Sequence, residues 1–114
     1  MDVDALIALW RRYAKANQVY ANADQARGDL FGAELCLARG AVRQAAAELL
    51  AKFRDDPKTA AETMHRTARG LCQRHWPFAQ FDQVAVKYMQ SRMWQDCALS
   101  IDPSLPEVQP KLSA

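Results

Sequence analysis

Apolar residues along this chain recur at intervals of three and four, and no run alternates apolar with polar residues as a half-buried strand would. The period predicts an all-α fold. A first helix is expected from about Asp4 to Arg27, with Val3, Leu6, Ile7, Leu9, Trp10, Tyr13, Ala14, Asn17, Tyr20 and Ala21 on one side. Arg11, Arg12 and Lys15 fall on the other. Gly28 is placed to stop this helix and Asp29 to cap the next.

The second helix, about Leu30 to Arg54, carries the clearest stripe: Phe31, Leu35, Ala38, Val42, Ala45, Leu49 and Phe53, at mostly alternating steps of four and three. Asp55-Asp56-Pro57 marks the next start, with Asp56 as cap and Pro57 at the first helical position. The third helix should run to about His75 and bury Ala60, Ala61, Met64, Ala68, Leu71 and Cys72. Trp76-Pro77 ends it, because a residue before proline is pushed away from helical angles. Pro77 then opens a fourth helix whose apolar side is Phe78, Phe81, Val84, Ala85, Tyr88, Met89, Met93 and Cys97.

The expected architecture is a four-helix bundle or related helical array over residues 1–101. A short flexible C-terminal tail, 102–114, should follow, since three of the five prolines stand at 103, 106 and 110.

Composition changes this picture little. The chain has 114 residues, half of them hydrophobic and a quarter charged, which suits one globular domain. A net charge of +2 is too small to imply a nucleic-acid partner by itself. Cys36, Cys72 and Cys97 stand far apart, and an odd number cannot all pair within the chain, which points to a reducing compartment. Met1-Asp-Val-Asp lacks the basic-then-apolar order of a signal peptide, and no apolar run approaches the ~20 residues that span a bilayer. A cytoplasmic protein without membrane association is expected.

Catalytic signatures are missing: no Gly-rich phosphate loop, nucleophile elbow or His-Glu-x-x-His motif occurs. Cys72 and His75 have a spacing that could place two metal ligands on adjacent turns, but His65 would project ~80° away from His75 and no second ligand pair is visible. Arg69 and His75 form an Arg-x5-His pair loosely similar to the motif of HEPN-type helical ribonucleases. Gly70, however, stands where a polar residue usually follows the arginine, and the two side chains would point ~120° apart. No catalytic residue, metal or cofactor is therefore assigned.

Two surface features remain. Leu30, Leu37 and Ala41 form a second apolar row on the second helix, and Trp94 lies off the apolar sector of the fourth. Both features suit contact with a partner chain, although a central helix touching two neighbours would give the row as well. The expected function is a non-enzymatic interaction protein, a homodimer or small subunit of a larger assembly. The alternative is a nucleic-acid-associated subunit gripping phosphates through Arg11, Arg12, Lys15, Arg66 and Arg69.

Overall fold

The computed structural model describes residues 1–72 and 81–108. They form α1 (Val3–Ala26), α2 (Leu30–Lys52), α3 (Pro57–Cys72) and α4 (Phe81–Ile101). The expected break at Trp76-Pro77, the opening of the fourth helix at Pro77, Phe78 and His75 lie outside the described residues.

Local chemistry sets the helix ends. The Asp2 carboxylate accepts the Ala5 N–H at 3.0 Å, satisfying a donor that the first turn of α1 leaves without a partner. Gly28 adopts φ +80°, which terminates α1, and Asp29 accepts the Gly32 N–H at 2.9 Å to start α2. Gly28→Ala should lower the free energy of unfolding by about 1 kcal/mol, because L side chains resist a left-handed backbone. Chemical denaturation measures this directly, and an unchanged midpoint would refute the glycine's role. Asp56 caps α3 through the Thr59 N–H and hydroxyl, with Pro57 as its first residue.

The helices run alternately up and down. Arg54 pairs with Asp4 at 3.1 Å, and Met1, Pro57, Ile101 and Asp102 line one shallow depression, so the starts of α1 and α3 meet the ends of α2 and α4. Packing is strongest within the α1–α2 and α3–α4 hairpins, which join chiefly through α2 and α4. The result is a slab of 42 × 38 × 18 Å. Its radius of gyration, 14.8 Å, exceeds the ~13 Å of a compact domain this long.

The main core sits at the meeting end of the hairpins. It holds Ile7 and Trp10 from α1, Ala46, Ala47 and Leu50 from α2, Ala60 and Met64 from α3, and Cys97 and Ala98 from α4. A smaller cluster joins Ala68, Cys72 and Val108. Among the described residues, none between Arg11 and Ala45 belongs to either cluster.

Two expected faces are corrected. On α2 the buried residues are Ala33, Val42, Ala46, Ala47 and Leu50; of the expected stripe only Val42 is among them, Leu49 and Phe53 are partly buried against the core, and Phe31 is 38 % exposed. The helix packs chiefly on two neighbours, α1 and α4, and lightly on α3. Gly40 abuts α1, and Ala33 and Ala47 lie seven residues to either side of it, hence on the same face. Val42 and Ala46 lie on another. The seam is therefore split between two directions. On α4, Ser91 and Gln95 are buried while Tyr88 is exposed and Val84, Ala85, Met89 and Met93 are only half-buried. Burial of these polar residues is compensated. Ser91 Oγ donates to the Ala68 carbonyl at 2.8 Å and so accepts from the Cys72 thiol, 2.7 Å away. On α1, Tyr13 and Tyr20 fall outside the buried face.

The expected flexible tail does not begin at 102. Residues 103–108 are non-helical, as the prolines require, yet they lie against the α3–α4 hairpin as a strap. Val108 is buried and its N–H donates to Gln95 Oε1 at 2.7 Å, while His65 Nε2 donates to the Pro106 carbonyl at 2.7 Å. Leu105 packs on the main core. Residues 109–114 lie outside the described residues.

Candidate interaction surface

The part of the molecule remote from the main core is the far half of the α1–α2 hairpin. Its helices approach closely at Gly40, where an added Cβ would meet Asn17 Cβ at 3.2 Å and the Ala14 carbonyl oxygen at 3.3 Å. Around that crossing the contacts are largely polar. Arg43 Nη1 donates to Asn17 Oδ1 at 2.8 Å and its guanidinium stands 4.8 Å over the Tyr13 ring. Nearer the turn, the Cys36 thiol donates to Asp24, whose carboxylate also pairs with Arg27. Arg43 and Tyr13 therefore occupy one side of the hairpin, facing α4, since both line a depression with Met93 and Cys97.

The opposite side carries the second apolar row. Leu30 is 68 % exposed, Leu37 47 % exposed, and Ala41 is exposed between the carboxylates of Glu34 and Glu48. Leu30 and Leu37 lie seven residues apart, about two turns along one edge of α2. A shallow groove between the helices is lined by Ala14, Lys15 and Gln18 from α1 and by Leu37, Gly40 and Ala41 from α2. The row is thus not the face by which α2 meets its second neighbour within the fold. Val42 and Ala46 meet that neighbour, and the apolar row faces solvent.

Trp94 is placed differently. It is half-buried and packs against both core clusters, so it bridges them rather than joining the exposed row. Its angular position matches no single apolar sector of α4, and contact with two clusters on different sides explains why. Helical angle alone does not place Lys15 and Gln18 beside Leu37. The signal for that lies in the Gly28 turn, which forces α1 and α2 to lie antiparallel and brings Ala14 level with Gly40.

Arg11, Arg12, Lys15, Arg66 and Arg69 are all exposed, and none forms an ion pair with a described residue. The first three stand on α1 and the other two on α3, in different hairpins, so they do not form a single continuous groove.

The Cys36 and Cys97 thiols are poor nucleophiles as they stand. Burial pushes the Cys97 thiol up to about 12, and burial together with the Asp24 carboxylate raises that of Cys36. Among the described residues no group of three His, Cys, Asp or Glu is arranged to hold a metal ion. Cys72 is bonded to Ser91 and His65 to the strap. No helix of the described residues is long and apolar enough to cross a membrane. Comparison with protein-family models, curated proteins and solved structures finds no match.

Proposed function

We propose that this protein is a non-enzymatic helical interaction module that binds another protein chain through the outward face of its α1–α2 hairpin, as a homodimer or a small subunit of a larger assembly. One observation carries this reading. Leu30, Leu37 and Ala41 are aligned on one helix edge, exposed, and distant from a core that uses none of them. Exposed leucines in a row cost solubility unless something covers them. The setting is the cytoplasm, where the three free cysteines would remain reduced.

Photo-crosslinking tests the face whatever the identity of the partner. The full chain with p-benzoylphenylalanine in place of Leu37, irradiated in its native cells, should give a discrete protein adduct. The same group at Lys58, exposed at the start of α3, should give none. Absence of an adduct at Leu37 overturns the reading. The alternative, phosphate binding by the arginine faces, predicts retention on nucleic acid that falls steeply with salt and is lost on charge reversal at Arg66 and Arg69.

A further inference from the structure

The outward face of the α1–α2 hairpin has a charge layout that is complementary to itself. Its α1 edge carries Arg11 and Lys15, followed by Gln18 and Asn22. Its α2 edge carries Glu48 beyond Ala41, at one end of the apolar row, and Glu34 between Leu30 and Leu37. Lys15 and Gln18 line the same groove as Leu37 and Ala41, which places both edges on one side of the hairpin. Ala14 and Asn17 lie opposite Gly40, and this fixes the heights. At 1.5 Å per residue, Arg11 lies within about 5 Å of Glu48 along the axis, and Asn22 is level with Glu34.

From this layout we infer that the occupant of the face is a second copy of the chain, related by a two-fold axis that lies in the plane of the face and parallel to the helices. The inference rests on the interaction reading above and names its partner. Such an axis sets α1 of each copy on α2 of the other. Arg11 then approaches Glu48 of the second copy, already held by Gln44 at 3.2 Å, while Lys15 stands level with Ala41 and Asn22 approaches Glu34. Leu37 and Ala41 are enclosed between these polar pairs, and Leu30 extends the apolar contact beyond Glu34. A two-fold axis perpendicular to the helices would instead lay α1 on α1 and bring the cations together.

The area fits a modest dimer. Two helices side by side, each ~10 Å wide, over the ~27 Å from Leu30 to Glu48 give a footprint of ~540 Å² per copy. Roughly 1,100 Å² in total is near the lower limit for a specific contact, so self-association should depend on concentration in the micromolar range.

Sedimentation equilibrium of the full chain should show monomer converting to dimer as concentration rises. Leu37→Glu should weaken the dimer about 100-fold or more with helicity unchanged by circular dichroism. Arg11→Glu alone and Glu48→Arg alone should each remain monomeric, whereas an equimolar mixture of the two should form a heterodimer. In the mixture each Glu faces an Arg across both halves of the contact, whereas under the perpendicular axis Arg11→Glu alone would already strengthen self-association by setting a carboxylate among the cations. A wild-type chain that stays monomeric at every concentration overturns the second copy and leaves the interaction face to the crosslinking test. A dimer that survives Leu37→Glu overturns the face itself. A dimer that Leu37→Glu disrupts but mixing does not restore overturns the two-fold arrangement.

Discussion

Leu50→Ala should lower the free energy of unfolding by about 2–5 kcal/mol, while Phe31→Ala, on the same helix, should lower it by less than about 1. Leu50 has no exposed surface and packs in the cluster where all four helices meet, beside Ala46, Ala47, Ala60 and Ala98. Alanine side chains have no rotamers with which to fill a vacancy, so relaxation into the cavity falls to Ile7, Trp10 and Met64 of the same cluster, and the cost follows from how far these can shift. Phe31 is the larger side chain and heads the most regular stripe in the sequence, but it is partly exposed and belongs to neither core cluster. Urea denaturation of the two variants separates the arrangements. A larger loss at Phe31 would mean that α2 is rotated about its axis from the orientation described.

Cutting the chain after Leu105 should lower the free energy of unfolding by about 2–4 kcal/mol. The cut removes the Val108 side chain from contact with Ala68 and Cys72, a burial worth about 1.5–3 kcal/mol. It also takes the hydrogen-bond partners of two buried side chains, Gln95 Oε1 and His65 Nε2. The pair between Arg92 and Glu107, 3.6 Å apart at the surface, adds little. Val108→Asp in the full chain should give a similar loss, because it sets a carboxylate in the same apolar site. A truncated chain as stable as the whole would show that the strap is not needed.

The sequence revealed most where a structural decision is local. Gly28, Asp29 and Asp56-Pro57 set helix ends through the φ angle or a side chain three residues from its partner, and such signals do not depend on the rest of the chain. The buried face of α1 was also readable, at Ile7, Trp10, Asn17 and Ala21, because α1 packs mainly on one neighbour. Where a helix packs in two directions, periodicity gives an average that only partly matches either, which is why the α2 stripe included the buried Val42 and also the exposed Phe31. On α4, Ser91 and Gln95 look like surface residues until Ala68 and Val108 supply partners from elsewhere in the chain. Proline spacing correctly excluded a helix over residues 103–108, but the absence of a helix does not show whether an extended segment is docked. Helical angle separated Leu30, Leu37 and Ala41 from the principal stripe but left open whether a second helix of the fold or solvent lay against them; their exposure in the folded chain decides it. Their neighbours across the groove depended on how α1 lies against α2.

The placement of the main core at one end of the hairpins distributes stability unevenly along α1 and α2. Near Trp10 and Leu50, opening either helix means disrupting the core cluster to which all four helices contribute. Beyond Gly40 it disrupts mainly an inter-helix seam of small and polar side chains, so this half can open locally at a fraction of the global cost. A ligand that bridges both helices there would bind only the closed hairpin and draw the open form back by mass action. The half of the hairpin presented for contact is then also the half whose order depends most on being occupied.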